Sequence, residues 1–276
     1  HLVVDFRREF EDRVIEDFCR EYARGRTPNP CVRCNERMKF DLLLERAGRL
    51  GADFIATGHH ARIKYDRETG SCLLKKGKDR SKDQSYFLYG LSGEQLSRTL
   101  FPVGDYTKSE VRRLAKKWGL RVAEKPESQE ICFVPLGRYP DFLRKRIPEA
   151  FLPGPIKDLG GRTLGRHNGI VHFTIGQRRG LGIAAARPLY VVAIDATSNS
   201  VLVGDDRDLY QKSLIAGDLN WTGERKVETG VRVRAKIRYK HEAASATLFP
   251  LAKGRVRVEF DRPQRVITPG QSVVFY

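Results

Sequence analysis

The apolar residues change their period part-way along the chain, and this limits the fold more than any single residue does. Up to about residue 150 they recur every three or four positions, broken by short apolar runs. Beyond Pro153-Gly154-Pro155 and Gly160-Gly161 they mostly alternate. A period near 3.6 reads as helix, and a period of two reads as half-buried strand. The expectation is an α/β front followed by antiparallel strands that form a small C-terminal barrel.

In the front part Phe10, Val14, Phe18 and Tyr22 form one helical face, and Gly25 ends it. Thr27-Pro28-Asn29-Pro30 is a stiff turn. A second helix is expected to bury Phe40, Leu43, Leu44, Ala47 and Leu50, with Gly51 just past its end. Phe54-Ile55-Ala56-Thr57 reads as a buried parallel strand that stops at Gly58-His59-His60. Loops at the carboxyl ends of such strands hold ligands, which makes Gly58 and His59 site candidates by position. Thr107-Lys108-Ser109-Glu110 has capping-box spacing before a stripe of Val111, Leu114, Ala115 and Trp118. In the back, Val231, Val233, Ala235, Ile237 and Tyr239 share one strand face, while Arg232, Arg234, Lys236 and Arg238 share the other. Val256, Val258 and Phe260 alternate in the same way.

The chain has 276 residues, with 51 Lys and Arg against 34 Asp and Glu, a net charge of +17. That surplus points to a polyanion, and it recurs along the chain rather than in one tail. An apolar fraction of 40% excludes a disordered chain. No apolar run approaches the roughly 18 residues of a membrane span, and no secretion signal opens the sequence. Five cysteines without such a signal fit reduced thiols in a cytoplasm. The chain begins at His1 rather than Met, which suggests a fragment.

Cys31-Val32-Arg33-Cys34 can serve as half of a metal site, as a redox pair, or as a nucleophile activated by a helix N-terminus and by Arg33 and Arg37. Two incidental thiols are the bland alternative. Cys132 lies in Glu130–Val134, an apolar run that reads as a short strand after the polar loop Pro126–Gln129, and its bland reading is a buried small hydrophobe. Cys19 and Cys72 read as structural. In Ser81–Phe87, Lys82 can meet a phosphate and Asp83 can accept from a base or hold a metal; a solvated turn is the alternative. His172–Gly182 is a glycine-flanked basic loop that either cradles a phosphate or makes an ordinary hairpin.

Several of these strings occur together in one order: Gly25–Asn35 with Lys39-Phe40, Ala56–His59, Lys82–Phe87, Phe101–Gly104, Ser128–Phe133, His172–Ile183 and Thr268–Ser272. In this the chain resembles the bacterial tRNA-specific 2-thiouridylases of the MnmA type over nearly its whole length. The resemblance implies an ATP-pyrophosphatase domain of Rossmann type over 1–135, a small central domain over 136–205 and a C-terminal antiparallel β-barrel over 206–276. It implies ATP with Mg²⁺, adenylation of O2 of the wobble uridine, and sulfur delivery from a persulfide on Cys132. Cys34 would be its partner thiol, able to form a disulfide with Cys132. Gly58 resembles the ATP-contacting glycine. Asn29, Pro30 and Cys31 resemble the segment near the target base. His59, Lys82, Asp83, Gln84, Arg238, Tyr239 and Gln271 resemble positions that contact tRNA. A [4Fe–4S] cluster on Cys31, Cys34 and Cys132 is the alternative sulfur carrier. The implied partners are the tRNA anticodon arm and a sulfur-donor protein, with neither DNA nor membrane. The family's first strand and its Ser-Gly-Gly-x-Asp-Ser loop have no counterpart here, and the last barrel strands are expected beyond Tyr276. A non-catalytic tRNA binder or split subunit is the rival class.

Overall fold

The computed structural model describes residues 1–125, 131–134, 139–222 and 229–276. By contact the chain divides into two compact units. The first comprises 1–13, 31–130 and 219–226; the second comprises 14–30, 131–218 and 227–276.

Two long helices open the chain. α1 covers 7–23, with a π segment at Glu11–Ile15 between α-helical turns. α2 covers 30–49, beginning with Pro30–Cys34, widening to a π segment at Asn35–Leu42, and closing with Leu43–Arg49. Proline suits the first position of α2 because its missing N–H would have no partner there. Both helices end at a glycine with positive φ, Gly25 and Gly51. In each, the next residue's N–H reaches back five positions, Arg26 to the Glu21 carbonyl and Ala52 to that of Ala47, which satisfies carbonyls a helix end would leave open.

In the first unit, β1 (Ile55–Ala56) pairs in parallel with β4 (Thr99–Leu100), and β2 (Ala61–Tyr65) pairs antiparallel with β3 (Cys72–Lys76). Phe40, Leu44, Ile55, Ala61, Cys72, Leu88, Leu91 and Leu96 form the core. The expected helical face is only partly buried, because Leu43 and Leu50 are exposed. Both lie in or just past the regular turns Leu43–Arg49, whose core-facing positions are taken by Leu44 and Ala47. The expected buried strand is also shorter: Ile55 is buried, while Phe54 and Ala56 are exposed. The Thr107–Glu110 capping box forms as expected ahead of α4 (Lys108–Lys117), which follows the short α3 (Gly93–Ser97). Its stripe is not buried: Val111, Leu114 and Ala115 are half-buried and Trp118 is exposed.

The second unit holds α5 (Tyr139–Arg144) and two sheets. The first is β6-β5-β8-β7, formed by β5 (Gly154–Asp158), β6 (Thr163–His167), β7 (Tyr190–Asp195) and β8 (Ser200–Gly204). Ile156, Val191, Val201 and Val203 pack at its centre with Phe173 and Leu181. The second is β13-β10-β11-β12-β9, all antiparallel, formed by β9 (Tyr210–Ala216), β10 (Val231–Lys236), β11 (Ala244–Leu251), β12 (Arg255–Arg265) and β13 (Val274–Phe275). Val256, Val258 and Phe260 are buried together, as their alternation predicts. The β10 strand stops at Lys236, short of the expected Tyr239, and Val231 at its start is exposed. No described helix is long and apolar enough to cross a membrane.

Candidate functional site

The first unit presents the start of α2 and the loop after β1. Cys31 is exposed and Cys34 half-buried. The cation expected to activate them is engaged: Arg33 pairs with Glu36 at 2.9 Å. One turn on, Asn35 is buried and donates to the Phe87 carbonyl at 3.1 Å. Lys39 donates to the Asn35 side chain at 3.0 Å. His59 lies under Phe40 and Phe101, with ring centroids 5.8 and 5.9 Å away. Its Nδ1 is 2.8 Å from the Thr57 hydroxyl. Burial, then the nearby Lys39 and His60 charges, lowers its pKa to about 4. His59 is therefore a neutral imidazole near pH 7. Gly58, beside it, has nothing within 4 Å of the space a Cβ would fill, so a ligand can approach its backbone closely.

The Lys82-Asp83-Gln84 loop packs beside these histidines. Gln84 accepts from the His60 N–H at 2.9 Å and returns its own N–H to the His60 carbonyl. Asp83 is buried, contrary to the solvated-turn alternative. Its carboxylate accepts from the Gly77 N–H (3.0 Å), the Ser85 N–H (3.2 Å) and the Ser85 hydroxyl (2.9 Å). Three donors satisfy most of its lone pairs, so the carboxylate ties the β3 end to the loop. Lys82 is half-exposed.

In the second unit the strap 26–30 is held from two sides. The Thr27 N–H donates to the Pro269 carbonyl at 3.0 Å. The Gln271 side-chain amide donates to the Thr27 carbonyl at 2.6 Å. The Thr27 and Thr174 hydroxyls are 3.4 Å apart. Gly270, with φ of +91°, allows this approach, since a Cβ there would lie 2.9 Å from the Thr27 nitrogen. Asn29 and Pro30 follow directly on the strap. Arg238 donates to the Val266 carbonyl at 3.0 Å, just past the end of β12. Tyr239, half-buried beyond the strand end, faces Lys236, whose ammonium is 5.4 Å from its ring.

Cys132 does not lie on a strand. Residues 131–134 form a turn, closed by the Val134 N–H on the Ile131 carbonyl at 3.1 Å. Phe133 inserts between Phe18 and Phe142, at centroid distances of 5.4 and 5.6 Å. The aromatic contact fixes the turn and leaves the neighbouring thiol exposed, which rules out the buried-hydrophobe reading. The preceding polar loop, 126–129, lies outside the described residues.

Three family models match in succession. They are a tRNA methyl transferase HUP domain over 1–136, a tRNA methyl transferase PRC-barrel domain over 140–205 and an aminomethyltransferase beta-barrel domain over 211–276. The tRNA-specific 2-thiouridylase MnmA of Moorella thermoacetica is 53% identical over the whole chain, which spans 77% of that relative. The namesakes from Halothermothrix orenii and Acetivibrio thermocellus are each 50% identical over the same extent. The chain belongs to the MnmA family.

This MnmA-family chain accordingly joins an α/β domain of HUP type to β-domains, and the HUP domain implies use of ATP. The structure groups the sequence candidates into two sets. Gly58, His59, Lys82, Asp83, Gln84, Cys31 and Cys34 belong to the first unit, while Asn29, Pro30, Cys132, Arg238, Tyr239 and Gln271 belong to the second. Among the described residues no disulfide joins the cysteines. Among the described residues no group of three or more His, Cys, Asp or Glu is placed to hold a metal ion. Sequence reasoning missed Thr27, Thr174 and Phe133. Each acts through a contact distant in sequence; the only local signal was the glycine beside Gln271.

Proposed function

We propose that the chain carries the thiol chemistry and much of the RNA-facing surface of a tRNA-uridine 2-sulfurtransferase acting at the wobble position. One observation carries the reading. Cys31, Cys34 and Cys132 are accessible, whereas Cys19 and Cys72 are buried among apolar side chains. A thiol that must take sulfur from a donor and deliver it to a base has to reach solvent, and a packing cysteine does not.

In this reading ATP, as substrate, adenylates O2 of the uridine and releases pyrophosphate, with the open backbone at Gly58 beside the nucleotide. The outer sulfur of a Cys132 persulfide attacks C2, and AMP leaves. The Cys34 thiolate then attacks the Cys132 sulfur, which frees the 2-thiouridine and leaves a Cys34–Cys132 disulfide that an external thiol must reduce. Asn29, Pro30 and Cys31 lie near the target base. Lys82, Arg238 and Tyr239 contact the anticodon arm, with His59, Asp83, Gln84 and Gln271 holding the segments that present it. The domain limits 1–135, 136–205 and 206–276 belong to the same proposal. So do a sulfur-donor protein as partner, Mg²⁺ with the ATP, and a cytoplasmic location.

The test is thiolation of transcribed tRNA by the full native protein, read as retardation on an organomercury gel. Cys132→Ser should abolish retarded tRNA and leave tRNA binding intact. An unchanged yield overturns the assignment. Binding without any thiolation by the unmodified protein would favour the non-catalytic reading.

A further inference from the structure

The function above leaves one feature of the second unit unused. Residues 159–194 contain Arg162, Arg166, Arg178, Arg179 and Arg187, and no Asp, Glu or Lys. In a chain with 34 acidic residues, so long an acid-free stretch is a local electrostatic feature. Arginine without lysine also favours forked recognition of phosphate oxygens over a simple point charge.

The loop is braced at its base and open at its tip. The Gly176 N–H donates to the Val191 carbonyl, and the Val191 N–H donates to that of Gln177. The Gln177 side chain accepts from the Thr174 N–H at 3.0 Å and donates to the Arg179 carbonyl at 3.0 Å. Leu181 is buried in the sheet core, and Ile183 packs against it. Beyond these attachments the segment 178–189 borders an open pocket of about 610 Å³, lined by Arg178 and by residues 180–189, small and apolar apart from Arg187. Among the described residues, no N–H of 178–189 donates to the protein, and no ion pair engages the Arg178, Arg179 or Arg187 guanidinium. By contrast Arg232, on the basic strand face, is held by both oxygens of Asp261.

Open backbone N–H groups, unpaired guanidinium groups and no carboxylate make an anion site. Its size suits a nucleotide unit. We propose that the 178–189 loop is a cradle for the sugar–phosphate backbone of the RNA substrate. It reads no base. It sets the register in which the RNA lies, as phosphate contacts generally do. Thr174, at the foot of the loop, meets Thr27 on the strap that carries Asn29, so a strand held in the cradle runs beside the segment assigned to the target base. The proposal rests on the tRNA reading above.

The test uses the full native protein with Arg178→Gln and Arg187→Gln, singly and together, and with Arg→Lys at both positions. Affinity for unmodified tRNA is measured over a salt series, and ATP and pyrophosphate binding are measured alongside. Each loss should weaken tRNA roughly tenfold and lower the salt slope by about one. Lysine should restore the slope more than the affinity. Arg67→Gln, an exposed control in the first unit, should change neither. Unchanged tRNA affinity and slope in the double variant overturn the cradle while leaving the thiolation reading intact. Loss of ATP or pyrophosphate binding with tRNA binding retained also overturns it, and reassigns the site to a free nucleotide. Failure of the unmodified protein to bind tRNA overturns both.

Discussion

The Gln271 side-chain amide donates a 2.6 Å hydrogen bond to the backbone carbonyl of Thr27, joining the C-terminal sheet's last loop to the strap that enters α2. A side chain committed to a backbone carbonyl in this way is a positioning group. Gln271→Glu removes the donor and sets a carboxylate against the carbonyl. It should cost about 1–3 kcal/mol of stability. Thiolation at saturating tRNA should fall about tenfold, with tRNA affinity within about twofold of the unmodified protein. The opposite pattern, weak binding with normal turnover, would assign Gln271 to the RNA instead. Gly270→Ala should mimic the defect, because its Cβ meets the Thr27 backbone.

Asp83 has the clearest structural role among the motif residues. Asp83→Ala leaves the Gly77 and Ser85 donors without their acceptor, at a cost of about 2–4 kcal/mol in urea unfolding. Hydrogen exchange at the Gly77 and Ser85 amides should accelerate together. If both stay protected, the carboxylate is not what holds the loop.

His59 makes stability depend on pH. Its pKa is lowered from 6.5 to about 4, mainly by burial. Below 6.5 the unfolded chain binds a proton that the folded chain refuses, so stability falls as pH drops through this window and levels off below about 4. The loss can reach about 3 kcal/mol. His59→Gln should flatten the curve across that range. A curve of unchanged shape would show that other groups carry the dependence.

The thiols of α2 can be separated by Cys31→Ser and Cys34→Ser. With a persulfide route, Cys34→Ser should lower multiple-turnover thiolation at least about 100-fold, and Cys31→Ser should have little effect. Equal loss in both would require three thiolates acting together. Melting temperatures of both variants should stay close to that of the unmodified protein, because neither side chain is in the core.

Features set by neighbours in sequence were legible before any coordinates. The Thr107–Glu110 capping box, the glycine that ends each long helix and the Val256-Val258-Phe260 alternation are of this kind. Misreadings arose where distant contacts decide. Cys132 was read on a strand because Ile131, Phe133 and Val134 are apolar, but Phe133 serves Phe18 and Phe142, which no local pattern reveals. The solvated-turn alternative for Asp83 failed because its donors lie on both sides of the loop. The strap and its clasp are 244 positions apart in the chain. The site residues came from matching strings, and spacing alone would not have found them.

The π segment at Asn35–Leu42 joins two α-helical grips that are out of phase. At one end are Cys31 and Cys34; at the other is Leu44, seated in the core. Tightening the wide turn to regular helix at the same chain length would swing the thiols by about 100° around its axis, whereas tightening it with one residue removed would leave their direction unchanged. The aim of the sulfur chemistry is thus stored in the width of one turn, and substitutions that tighten this turn at constant length re-aim a nucleophile without altering any side chain that touches it.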